Sequence, residues 1–276
     1  MSKGTELERR ITRTGYAEED IANKRAELAE LELVLAQLEL ELINLQAELR
    51  AFEIRYLQRV GYLISELDSI QAAISELLSL LFPDRPAYKE QVRNDREKAK
   101  KSQDEANFAK TQPIERTRFT APEDLKQLYR EVAKRVHPDF AADEQDRTRR
   151  SELMKQANQA FEMQDYEKLK ELLDEADTAS SAKIDERNLE REIDSLNKKI
   201  LRVRIRIQSL RKGLEDLHLS QLYMLMLRVL EAENEGRDLL AEMAESLKAN
   251  ILERTQRLEE LQRIYDERNR SSIPRS

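Results

Sequence analysis

Apolar residues recur through the first third of the chain in alternating steps of three and four: Leu28, Leu31, Leu35, Leu38, Leu42, Leu45, Leu49, Phe52 and Tyr56. That alternation keeps one stripe on one side of an α-helix and predicts a coiled-coil seam. The stripe resumes as Val60, Leu63, Leu67, Ile70, Ile74, Leu77 and Leu81. Between Tyr56 and Val60 a step of four follows a step of four, a stutter that unwinds a supercoil locally, and Gly61 beside it allows a bend. A helix running from Ala17 to Leu81 would be about 100 Å long. Leu33, Val34, Leu40 and Ile43 lie off the seam. They predict either a wide-faced helical hairpin or a four-helix dimer interface.

A second stripe begins near Ile184 and runs through Leu189, Ile193, Leu196, Ile200, Val203, Ile207, Leu210, Leu214 and Leu217. A later register follows as Ala244, Leu247, Ile251, Leu258, Leu261 and Tyr265. Between them, Leu219 to Leu230 is apolar on every face and carries Met224 and Met226. It reads as core or dimer contact, or as an adaptable peptide-binding surface. Folding the two rods back antiparallel sets Leu81 opposite Ile184 and brings the two over-apolar segments together. The pattern therefore predicts an antiparallel coiled-coil hairpin.

Composition agrees with rods. Only 5 of 276 residues are Gly and 6 are Pro, so the turns a β-sandwich or a doubly wound α/β domain needs are missing. Charged residues make up 37% and aromatics 5%, proportions typical of long helices rather than a thick core. With no cysteine and two distant histidines, neither a disulfide framework nor a metal site is expected, and no cofactor is implied. The net charge of -7 gives no general attraction to nucleic acid. The run Lys198, Lys199, Arg202, Arg204, Arg206, Arg211 and Lys212 is the one exception. No aromatic interleaves it to stack bases, so it reads as a solvated or paired flank. No apolar run is long enough for a membrane span or a signal peptide, and a cytoplasmic location is expected. No Gly-rich phosphate loop or nucleophile–base constellation points to an enzyme.

The chain therefore divides into a first coiled-coil helix (1–82), a charged connector (83–119), a compact helical domain (120–177) and a second coiled-coil helix (178–276). In the connector, Tyr88, Val92, Ala99 and Ala106 make only a poor stripe. In the compact domain, Thr120-Ala121-Pro122-Glu123 has the form of a capping box. A short helix follows, with Leu125, Leu128, Tyr129, Val132 and Val136 on its apolar face and Lys126, Arg130, Lys134 and Arg135 among its polar positions. It should stop at His137-Pro138-Asp139, because a proline disfavours the helical state of the residue before it. A third helix from about Asp143 to Gln164 should turn Leu153, Ala157, Ala160 and Phe161 inward. A fourth, from about Asp165 to Ala176, should bury Tyr166, Leu169, Leu172 and Leu173.

The basic helix leading into His137-Pro138-Asp139 resembles helix II and the signature loop of the J-domain (DnaJ-like) co-chaperone family. Ala157-Asn158-Gln159-Ala160-Phe161 is similar to the pattern of that family's helix III. The resemblance covers about 55 of the 276 residues and leaves the rods outside it. It implies a co-chaperone that docks on a DnaK-type ATPase and stimulates its hydrolysis of ATP. Lys126, Arg130, Lys134 and Arg135 would meet an acidic patch, and His137, Pro138 and Asp139 would present the signature. The coiled coil would serve for targeting, client binding or dimerisation. The family's Tyr-x-x-Leu-Gly first-helix motif has no match in residues 111–120. A first helix would have to come from the charged segment around Phe108 or from the rods. The rival expectation is a structural coiled-coil scaffold with a degenerate J-domain.

Overall fold

The computed structural model describes residues 3–113, 119–141, 143–178 and 189–271, with backbone alone for 3–16, 177–178 and 271. The fold is all-α: among the described residues every regular element is helical. The order is α1 (Lys3–Tyr56), a π-helical turn (Leu57–Gly61), α2 (Tyr62–Leu81), α3 (Pro86–Thr111) and α4 (Glu123–Val136). A 3-10 turn (Pro138–Phe140) then precedes α5 (Glu144–Glu162), α6 (Tyr166–Thr178), α7 (Leu189–His218), α8 (Gln221–Asn234) and α9 (Leu239–Ser271). The expected start of the second rod at Ile184 lies outside the described residues.

Contacts divide the chain into two units that cut across the divisions expected from sequence: Met1–Ala47 with Thr120–Ser220, and Glu48–Phe119 with Gln221–Ser276. In the first unit, Ile21, Leu28 and Leu35 of α1 share a buried cluster with Leu196, Ile200, Val203, Ile207 and Leu210 of α7. Charge pairs fix the direction of the two helices. Arg25 pairs with Glu192, Glu27 with Arg204 and Glu39 with Arg206. Both numbers rise together, so α1 and α7 run parallel. The second unit shows the same sense, with Arg55 bonded to Glu233, Arg59 to Asp238 and Gln71 to Arg254. The antiparallel hairpin expected between the rods is therefore corrected.

The physical reason is the connector. Residues expected to form a marginal helix or a connector make a 26-residue helix, α3, which folds back on α2. Gln58 reaches Ala109, Asp68 pairs with Lys98 and Glu76 accepts from Arg96, so here the numbers oppose and the helices are antiparallel. The buried face of α3 is Ser102, Ala106 and Ala109, small side chains that let the backbones approach closely. At Gly61 an added Cβ would lie 3.2 Å from Leu57 Cδ2, a tight approach, and 3.9 Å from Ala106 Cα, an ordinary contact. Gln58 Nε2 donates to the carbonyls of Ala109 and Gln112 at 2.9 and 3.0 Å, satisfying acceptors that the end of α3 leaves free. The stutter read between Tyr56 and Val60 thus coincides with the π-turn, in which one extra residue is taken into the helical ladder.

The second rod is not one helix. It stops at His218, restarts at Gln221, and breaks again after Asn234. Gly236 adopts φ 77°, a left-handed conformation that favours glycine. Asp238 Oδ1 then accepts the Ala241 N–H at 3.0 Å and starts α9. Within the segment apolar on all sides, Met226 and Val229 are buried, whereas Met224, Leu227 and Leu230 stay exposed.

Candidate partner-binding site

The compact group α4–α6 is built as its apolar pattern requires. Leu125, Tyr129, Val132 and Val136 of α4, Ala157 and Phe161 of α5, and Leu169 and Leu172 of α6 are all buried to within 1% of full coverage. Leu128, Tyr166 and Leu173 are half-buried rather than fully covered. The Tyr129 and Phe161 rings pack at 4.9 Å, and Tyr129 Oη donates to Asn158 Oδ1 at 2.7 Å. Burial raises the Tyr129 hydroxyl well above its ordinary pKa, so it remains a donor. Arg150 Nη1 donates to the Arg135 carbonyl at 2.5 Å, which sets α4 and α5 antiparallel around the turn between them.

One local expectation is corrected. Thr120 does not cap α4: Pro122 occupies the N-cap position with no side-chain bond, and the Thr120 carbonyl accepts from Gln164 Nε2 instead. At the N-terminus of α5 the expected kind of cap is present, with Asp143 Oδ1 accepting the Asp146 N–H at 2.8 Å.

The end of α4 is shaped by Pro138, which holds His137 in an extended conformation at φ -64°, ψ 131°. The imidazole turns inward and is only 2% exposed. Its Nδ1 accepts the Asp139 N–H at 3.1 Å, so the ring proton lies on Nε2 and is donated to Glu39 Oε1 at 3.1 Å. Glu39 comes from α1 and is itself 4% exposed. The same oxygen accepts from Arg206 of α7, at 2.9 Å from Nε and 2.7 Å from Nη2. Burial alone would push the Glu39 carboxyl up, but the bond from His137 and the Arg206 charge outweigh it and hold the pKa below its ordinary value. Phe140 packs against the α1–α7 seam cluster, and Arg202 Nη2 reaches the Ala141 carbonyl at 3.4 Å. Pro138 is half-buried, and the Asp139 side chain is 14% exposed.

The four cationic positions of α4 divide. Arg130 donates to Gln37 of α1 at 3.2 Å and to Glu123 at 3.1 Å. Lys134 is exposed, yet its charge acts on Glu32 of α1, whose carboxyl is raised by burial and lowered in part by Lys134 and Lys199. Lys126 and Arg135 lie beside acids of their own helix, Glu123 and Glu131, at 4.0 and 3.9 Å. The cations are therefore spread along α4 from its first turn to its last, with Arg130 bonded to α1 and the 137–139 loop at the helix end buried against Glu39.

No protein-family model, curated protein or solved structure matches this chain. The site is read from its residues alone.

Two further residues belong to it that the sequence pattern did not single out. Glu39 lies among the many acids of α1, with no local signal to set it apart. Arg206 is part of the basic run that reads as a solvated or paired flank. In the parallel register the run meets Glu27 and Glu39. Phe108, considered as part of a first helix for this domain, is exposed on α3, and α3 packs against α2. Among the described residues no group of His, Asp and Glu is arranged to hold a metal ion, and no helix is long and apolar enough to cross a membrane.

Proposed function

We propose that residues 120–177 act as a J-domain that recruits a DnaK-type ATPase and stimulates its ATP hydrolysis. In this reading the rods serve for targeting, client binding or dimerisation. The observation that carries it is the meeting of the two halves of the motif. Tyr129 of the basic helix contacts both Asn158 and Phe161 of the helix after the loop. That packing sets His137-Pro138-Asp139 at the joint of two antiparallel helices. A proline-stiffened joint presents a fixed hydrogen-bonding geometry to a partner, and cations beside it steer encounter with an acidic surface. The loop itself performs no chemistry in this reading.

The test is single-turnover ATP hydrolysis by the host's DnaK-type chaperones with wild type and His137→Gln. Stimulation that His137→Gln abolishes is the expected result. Basal hydrolysis with wild type and with every variant that frees the loop from α1 would overturn the proposal.

Burial of His137 favours a second reading, in which the domain is a docked structural part of a coiled-coil scaffold. On that reading Asp139→Asn leaves the cellular phenotype unchanged.

A further inference from the structure

We propose that Glu39 and Arg206 form an intramolecular latch that holds the His137-Pro138-Asp139 loop against α1 and α7 and so limits how far the free protein engages its ATPase partner. The inference rests on the co-chaperone reading and adds its regulation.

Three features carry it. First, the loop buries a polar side chain beside its apolar one. A loop that merely ended a helix would bury Phe140 and leave the imidazole in water. Here Phe140 packs in part on the α1–α7 cluster, and His137 is covered more fully still. Second, the cover is ionic. A carboxylate 4% exposed is costly to bury unless it is paired. Glu39 is tolerated in the closed arrangement because His137 and Arg206 both donate to it. When the loop lifts, Glu39 regains water, and Arg206, whose side chain is 41% exposed, can follow it to the surface. Opening therefore leaves no buried charge stranded, which makes the contact reversible. Third, the latch extends along α4. Arg130, expected to meet an acidic partner, is held by Gln37, and Lys134 lies within the field of Glu32. Side chains of α1 thus bond Arg130 and lie near Lys134, two of the four cations that a partner's acidic surface would meet.

The experiment uses the full chain with the host's DnaK-type chaperone. Single-turnover hydrolysis is measured for wild type, Glu39→Ala, Arg206→Gln and Glu39→Ala combined with His137→Gln, alongside hydrogen exchange of residues 137–141. Glu39→Ala is expected to raise stimulation about fivefold or more, the lower range of ordinary coupling between sites. Exchange at 137–141 should quicken, and adding His137→Gln should return hydrolysis to the basal rate. Arg206→Gln should act in the same direction and covers the case in which Glu39→Ala disturbs folding. Equal stimulation above basal by wild type and both single variants overturns the latch and leaves the co-chaperone reading standing. Unchanged exchange at 137–141 in both variants also overturns it. Basal hydrolysis throughout, with exchange quickened, removes the co-chaperone reading and the regulation with it.

Discussion

Two carboxylates are buried to nearly the same depth, one in each unit: Glu39 at 4% exposure and Asp68 at 5%. Their surroundings differ. Glu39 receives donors from two separate elements, the loop after α4 and α7. Asp68 has one partner, Lys98 of α3 at 2.9 Å, whose side chain is 70% exposed, and its Oδ2 has no hydrogen bond. A salt bridge with one solvated end contributes little, whereas a carboxylate shared between helices ties them to one another. Equal burial thus marks two different situations. The number of elements that converge on the charge distinguishes a fastening from a tolerated polar group.

That contrast can be broken most strongly from the side of the frame. Phe161→Ala should destabilise the α4–α6 group by about 3–5 kcal/mol, because a fully buried ring is replaced by a cavity. Denaturant unfolding followed by hydrogen exchange should show the loss in residues 120–177, with α2 and α3 protected as before. Next in size, Glu39→Ala should cost about 1–3 kcal/mol, since His137 and Arg206 lose the acceptor they share. Asp68→Asn should cost less than about 1 kcal/mol, because it removes a charge whose partner is already solvated. Comparable losses for Glu39 and Asp68 would dissolve the distinction.

A pH titration sharpens it further. The Glu39 carboxyl is held below its ordinary value in the folded protein, so the folded state binds fewer protons there than the unfolded one. Its contribution is full above the ordinary carboxylate range and is lost as pH falls through the depressed pKa. Glu32, raised by burial, works in the opposite sense and loses its penalty on acidification. The difference in stability between wild type and Glu39→Gln should therefore shrink as the solution is acidified. The smallest effect is expected at Lys248, which pairs with Glu245 on the exposed face of α9. Lys248→Ala should leave the unfolding midpoint unmoved.

Much of the fold was legible because helix periodicity is a local property. The seam residues, the π-turn at the stutter and the bounds of α4–α6 follow from spacing and breakers over a few positions. The direction of the rods did not follow. A seam of alternating threes and fours meets a partner equally well in either sense, and matching two over-apolar stretches favoured the wrong one. The fold-back of α3 went unread because its buried face is made of small residues, Ser102, Ala106 and Ala109, which give a weak apolar signal. The break at Gly236 and Asp238 carried an ordinary stop and start signal that the surrounding apolar pattern outweighed. At the site, His137, Pro138 and Asp139 stood out as a motif. Glu39 could not, because its role arises from a contact 98 residues away in sequence.

The π-turn at Leu57–Gly61 acts as a phase setting for all of α2. Each residue in an α-helix advances the azimuth by about 100°. Deleting one residue there would restore an uninterrupted ladder and rotate α2 by that amount about its own axis. Ile74, Leu77 and Leu81, which now meet Leu261 of α9, would swing toward water, and polar positions would take their place. The same composition, shortened by one residue, would then lack a face with which to hold α9.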